Sequence, residues 1–223
     1  MPIPADESAF FDGASFEEQM PRLWGDWGCC SEVGKLRAVL LHRPGPEIAN
    51  VQDPNSVLFA ERMDLERARA QHDALADIYR ANGVRVYYIE DSPIDKPNVL
   101  FARDLVAMTP EGAIVARMGT SVRRGEERYA AAALARYGVP IVRTITGTAT
   151  FEGADLMWAS RDLAFVSISR RTTPEGAQMV AAELRRMGVG EIVFVHVPYS
   201  EGHLDGFMNF PTRDTAIVFP VQV

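Results

Sequence analysis

Residues 151–197 read FEGADLMWASRDLAFVSISRRTTPEGAQMVAAELRRMGVGEIVFVHV, and this stretch decides the fold. Asp155 opens a β-rich run to Ser160, Arg161-Asp162 supply a turn, and Leu163 to Ile168 form a second run, which predicts two neighbouring strands. Pro174 to Met187 then carries Met179, Val180, Leu184 and Met187 at helical spacing. Pro174 suits a first helical turn and Gly188 a C-terminal stop. Gly188-Val189 lead into a further strand, Ile192 to Val197.

The same order recurs on either side. Asp104 opens Asp-Leu-Val-Ala-Met-Thr, followed by a turn at Pro110-Glu111-Gly112 and the apolar run Ala113 to Ala116. A helix over Glu126 to Tyr137, the pair Gly138-Val139 and a strand Ile141 to Ile145 complete that copy. Asp205 opens Asp-Gly-Phe-Met-Asn-Phe, then Pro211-Thr212-Arg213 and Thr215 to Phe219. Asp104, Asp155 and Asp205 stand 51 and 50 residues apart. An earlier copy has a strand Leu36 to Leu41, a helix Ala60 to Ala81, Gly83-Val84 and a strand Arg85 to Ile89. The unit is strand–strand–helix–strand, and such a period points to repeats that bury their apolar faces only against each other. Units of this kind can surround an axis as a closed α/β propeller. The expectation is one α/β-propeller domain over residues 1–223 that ends partway through its final repeat, since the copy opened by Asp205 shows two strands and no helix. The alternative is that these two strands pair with the N-terminal segment and close the fold.

Hydrophobic residues make up 47% of the chain and charged residues 24%, which excludes a disordered or fibrous class. A formal net charge of −7 disfavours nucleic acid and anionic membranes as partners, and suits a small cationic substrate. No apolar run approaches the ~18–20 residues of a membrane span, and Met1 to Phe11 does not read as a signal peptide. The adjacent Cys29 and Cys30 form no disulfide framework, which predicts a reducing, cytoplasmic setting. His42, His72, His196 and His203 follow no metal-ligand spacing, so neither a metal nor another cofactor is expected.

Three motifs share one phase of the repeat: Phe101-Ala102-Arg103-Asp104, Phe151-Glu152-Gly153-Ala154-Asp155 and His203-Leu204-Asp205. Around an axis, equivalent positions converge, so these motifs would meet in one pocket. A guanidinium is a planar fork of N–H donors, for which carboxylates are the best partners. A histidine beside carboxylates suits acid–base work near neutral pH. Turn capping at strand starts is the competing reading for the three aspartates. Arg123, Arg124, Arg170 and Arg171 are anion-binding candidates, set against a solvated basic face that Arg128 would extend.

Five segments in order carry a resemblance: Leu41-His42-Arg43-Pro44-Gly45 with Glu47, Asn98 to Asp104, Phe151 to Asp155, Arg170-Arg171-Thr172 and His203-Leu204-Asp205. Together they resemble the arginine deiminase and amidinotransferase superfamily from about Trp27 to Phe219. The resemblance implies a five-bladed α/β propeller, the pentein fold, with its site on the axis. It implies a cysteine thiolate that attacks the guanidinium carbon, and an amidino-enzyme resolved by water in hydrolases or by an acceptor amine in transferases. Asp104 and Asp205 would hold guanidinium nitrogens, Glu152 would assist or orient, and His203 would shuttle protons. Asn98, Arg123 and Arg171 resemble positions that hold a substrate carboxylate, and Asp155 would brace the Glu152 turn. The departure is the nucleophile, which the family carries near its C-terminus, whereas no cysteine follows Cys30 here. Because the Asn98, Arg123 and Arg171 set resembles the deiminase pattern, the expected activity is hydrolysis of a C–N bond in arginine or a related guanidine. Amidino transfer, or a non-catalytic or partner-completed guanidine-binding protein, are the alternatives. The expected partner is a small guanidinium compound, with self-association through uncovered strand edges.

Overall fold

A computed structural model describes residues 13–90, 95–197 and 202–219. Met1 to Phe11, read above as unlike a signal peptide, lie outside them.

The 151–197 stretch folds as strands β6 (Leu156–Ser160) and β7 (Leu163–Ile168), a helix (Pro174–Arg186) and strand β8 (Glu191–His196). β6 and β7 pair antiparallel around the Arg161-Asp162 turn, and β8 lies parallel to β7. The helix starts where it does because the Thr173 side chain accepts the Gly176 N–H and Pro174 needs no donor in the first turn. Ala177, Val180, Ala181 and Leu184 form its buried stripe, and burying that stripe against the sheet is what fixes an otherwise marginal helix. Gly188 stops it in the left-handed region at φ 81°.

The preceding copy has the same order: β3 (Val106–Thr109), β4 (Gly112–Val115), a helix (Glu127–Arg136) and β5 (Ile141–Thr144), with β4 antiparallel to β3 and parallel to β5. Before it, β1 (Ala38–Leu41) and β2 (Arg85–Tyr88) run parallel, joined through a helix at Leu65–Ala81. That helix begins five residues later than the sequence suggested, because the Asp64 carboxylate caps the Arg67 N–H and defines the start. After β8, β9 (Met208–Thr212) and β10 (Thr215–Val218) form an antiparallel pair and, among the described residues, join no N-terminal strand. The fold is mixed α/β, with four small sheets among the described residues.

Each hairpin is entered through a short 3-10 turn carrying an aspartate: Ala102–Asp104 before β3, Gly153–Asp155 before β6 and Leu204–Gly206 before β9. The turn at Gly153–Asp155 packs against both of the others. The main core runs beneath them through Leu105, Ile114, Met118, Phe151, Leu156 and Leu184. Gly153 makes the close packing of turns feasible: a Cβ there would lie 2.1 Å from the Val106 carbonyl oxygen and 2.6 Å from that of Arg103. A Cβ on Gly206 meets nothing within 4 Å. Gly153→Ala is accordingly expected to cost about 2 kcal/mol of stability as an overpacking change. Gly206→Ala is expected to stay within about 0.5 kcal/mol. Denaturant melts of the two variants check the difference, and equal midpoints would contradict the packing of the turns.

Candidate active site

The three turns deliver their polar side chains to one place. Asp104, Glu152 and His203 each offer a ligand-type atom within 4.8 Å of the others. Glu152 is at the centre and 0% exposed. Its Oε2 lies 2.6 Å from His203 Nε2 and 3.5 Å from Arg171 Nη1, while its Oε1 accepts the Gly119 N–H at 2.9 Å. The other ring nitrogen of His203, Nδ1, lies 3.7 Å from Asp104 Oδ1.

Burial works to raise the Glu152 pKa, but the His203 hydrogen bond and the Arg171 charge outweigh it and hold the carboxyl below its ordinary value. Burial likewise works to lower the His203 pKa. The Glu152 bond and the charges of Asp104 and Asp155 prevail, so the imidazole is more basic than usual. Both shifts favour the imidazolium–carboxylate form of the pair, which can store a proton between two turns of the repeat.

Asp155 sits behind this pair, fully buried. Its Oδ2 accepts from Thr172 Oγ1 at 2.6 Å and Ser169 Oγ at 3.3 Å, and its Oδ1 accepts the Leu204 N–H at 3.0 Å. One carboxylate thus ties the turn of Glu152 to the turn of His203. Asp205 is half-buried, and its Oδ2 lies 3.7 Å from Arg103 Nε. Burial raises the Asp205 pKa despite the opposing charges of Arg103 and His203. Arg103 also donates to the carbonyls of Gly153 and Leu156, so it spans all three turns.

The residues expected to hold a substrate carboxylate are placed differently from one another. Each arginine pair puts one member inward: Arg123 is buried and Arg171 partly so, while Arg124 and Arg170 are exposed. Arg123 faces the protein interior. It donates through Nη1 to Asp104, through Nε to Glu126 at 2.8 Å, and through Nη2 to the carbonyls of Asn98 and Phe101. The Asn98 side chain donates to the Val57 carbonyl at 2.9 Å. The motif at His42 lies at the ends of β1 and β2, where His42 bridges the Ile89 carbonyl and the buried Glu47. Among the described residues, it serves as a brace between those strands.

Two contributors escaped the sequence reading. Glu126 is fully buried beside Arg123, and burial pushes its carboxyl up to about 7 even though Arg123 opposes the shift. The Arg123–Glu126 spacing of three residues at a helix start was an available signal. The Gly119 N–H is a backbone donor, which carries no sequence signature. The Asp104–Glu152–His203 trio has the donor types of a cation site. However, Arg123 and Arg171 already bring positive charge to its carboxylates and His203 shares a proton with Glu152, so the arrangement suits acid–base chemistry better.

An arginine deiminase family model matches residues 93–222. The arginine deiminase of Borrelia recurrentis (strain A1) is 26% identical over 264 aligned positions, covering 78% of this chain and 64% of that protein. The chain thus spans less than two thirds of that relative's length. DDAH from Pseudomonas aeruginosa, solved in complex with citrulline, is 23% identical with a TM-score of 0.65, covering 78% of this chain and 66% of that one. An amidinotransferase from Microseira wollei is 16% identical with a TM-score of 0.64, covering 88% and 70%. The family model covers more than half of the chain, and the two solved structures share its fold.

The two shifted groups give stability a pH signature. The Glu152 contribution is present above its unfolded value of 4.5 and lost as pH falls through its lowered folded pKa. The His203 contribution is present below 6.5 and lost as pH rises through its raised folded pKa. The pair is thus fully stabilising between those two unfolded values. His203→Ala is expected to remove the alkaline part of this decline in melting temperature. The decline from Glu126, whose carboxyl is raised, remains in both proteins. Identical profiles for His203→Ala and the parent would contradict the ion pair.

Proposed function

The chain belongs to the arginine deiminase family, and from that membership we propose that it binds arginine or a related guanidine and serves its C–N hydrolysis. The observation that carries the reading is the convergence of Asp104, Glu152 and His203 within 4.8 Å from three separate repeats. A guanidinium needs carboxylates in one plane, and Asp104 and Asp205 approach the site from turns on either side of Glu152. We assign those two to the guanidinium nitrogens and Glu152 to orienting the central carbon. His203 is assigned the protons. Asp155 is the brace that holds the Glu152 and His203 turns in register.

In the reading proposed here, a thiolate adds to the guanidinium carbon and His203 gives its proton to the departing nitrogen, which leaves as ammonia or an amine. Neutral His203 then takes a proton from water, which attacks the amidino carbon and releases the thiolate, leaving a ureido product. The chain's two cysteines, Cys29 and Cys30, do not suit the nucleophile's part. Burial raises both thiols above their ordinary pKa, the wrong direction for a thiolate at neutral pH. The sulphur in this scheme comes from outside residues 1–223, in further sequence or a second chain. The same observation supports a second reading, a guanidine-binding protein without turnover. The likeness to an amidinotransferase supports a third, in which an acceptor amine replaces water.

Arg171, partly exposed beside Glu152, is the proposed partner of a substrate carboxylate. Arg123 and Asn98 shape the pocket from behind. The repeats are proposed to stand around one axis as a five-fold propeller forming a single domain, with the strand order shared by the β3–β5 and β6–β8 sheets as its support.

Titration calorimetry with L-arginine tests the reading. Glu152→Gln is expected to weaken binding by about tenfold or more, the scale of losing a buried charge-assisted contact, and to lower the melting temperature, because His203 and Arg171 lose a buried charged partner. Unchanged affinity would remove the guanidinium from this site. Ammonia release without added protein or sequence would favour turnover by the 223 residues alone and contradict the outside nucleophile.

A further inference from the structure

Glu126 has no role in the chemistry above, yet it is among the most completely buried charged groups of the site: 0% exposed, with Oε2 on Arg123 and Oε1 accepting no hydrogen bond from the described residues. A carboxylate left half-unsatisfied in the interior is costly, and an apolar residue at this helix start would avoid the cost. We propose that Glu126 is a positioning residue of the guanidinium site, dividing the Arg123 guanidinium with Asp104 and so fixing both the aim of Asp104 and the net charge a bound cation meets. The proposal rests on the reading that a guanidinium binds beside Asp104.

The geometry supports it edge by edge. The fork of Arg123 has three sides: Nε goes to Glu126, Nη1 to Asp104, and Nη2 to two main-chain carbonyls. Phe101 lies against its face, with the guanidinium carbon 5.8 Å from the ring centroid. Arg123 therefore cannot turn toward a ligand without abandoning Glu126. With Glu126 ionised, the Glu126–Arg123–Asp104 row carries a net charge of −1, counting one cation and two carboxylates. With Glu126 protonated, the row is neutral. The other charged groups that face Glu126 are Lys96, whose Nζ donates to the Val122 carbonyl, and Glu127. Neither forms a hydrogen bond with it.

The sign follows from the burial of the group. Its carboxyl is pushed up to about 7, so it is neutral below and ionised above that pH. A cation at Asp104 favours the ionised form, so binding expels a proton from Glu126 near neutral pH and affinity rises with pH through this range. A purely structural brace behaves otherwise. Glu126→Gln keeps an acceptor for Arg123 Nε and loses only the charge, so a brace would leave the pH profile alone.

The test is L-arginine affinity by calorimetry from pH 5.5 to 8.5, alongside the titration midpoint of the His203 imidazole measured by NMR without ligand. For Glu126→Gln, affinity is expected to match the parent at pH 5.5 and to be weaker by about threefold to tenfold at pH 8.5, the effect of one nearby charge. The His203 midpoint is expected to fall, because a negative charge has left its surroundings. In the parent, binding at pH 7 is expected to release protons, read from calorimetry in buffers of different ionisation enthalpy, and this holds even if the variant fails to fold. A Glu126→Gln variant with the parental pH profile and His203 midpoint overturns the proposal, as does binding without proton release in the parent. If the parent binds no arginine, the functional reading fails separately, and an unmoved His203 midpoint then overturns the coupling of Glu126 to the site.

Discussion

Everything in this site depends on keeping the Glu152 carboxylate ionised at a position with no solvent exposure. An unpaired buried carboxylate would take up a proton or unfold its surroundings. Three donors prevent this, each from a different part of the chain: His203 from the β9 turn, Arg171 from the loop after β7, and the Gly119 N–H from the segment after β4. Each can reach Glu152 only if the turns pack at main-chain distance, which is why residue 153 has no side chain. Asp155 then fixes the spacing by accepting from Thr172, Ser169 and the Leu204 N–H. The electrostatics of one residue thus dictate the packing of three repeats.

Charges alternate outward from that centre. Glu126, Arg123, Asp104, His203, Glu152 and Arg171 form a row in which each member faces opposite charge on its neighbours. Such a row is rigid, because turning any of its four inner groups breaks contacts with two neighbours in a poorly solvated place. Rigidity of this kind suits the recognition of a planar cation, whose fixed geometry rewards carboxylates that are already in place. Asp205 lies beside the row, half-buried, with Arg103 Nε 3.7 Å from its Oδ2 and the charges of His203, Asp104 and Asp155 also acting on it. It is the carboxylate with most freedom to meet a ligand.

Much of this was legible in the sequence. The recurrence of an aspartate at intervals of 51 and 50 residues marked the turns that enter β3, β6 and β9, because a repeat imposes the same local geometry wherever it occurs. The helical spacing of Met179, Val180, Leu184 and Met187 marked the helix that covers β7, whereas the part played by Ala177 and Ala181 in its buried stripe emerged only from the packing. The arginines were less readable. Arg123 and Arg124 are adjacent and chemically identical, and only packing determines that Arg123 turns inward to Asp104 and Glu126 while Arg124 stays exposed. Asn98 had the right residue type near the right motif, but its amide is engaged with Val57, far away in sequence. Such pairings depend on long-range geometry that local patterns do not encode. Glu126 was overlooked because a glutamate at a helix start usually has a solvated role.

The most direct measurement is a crystal structure of the protein grown with L-arginine. The account predicts the guanidinium between Asp104 and Asp205, its carbon next to Glu152 and His203, with Arg123 still on Glu126 and Asp104. Ordered arginine elsewhere, or a guanidinium paired with neither aspartate, would contradict it.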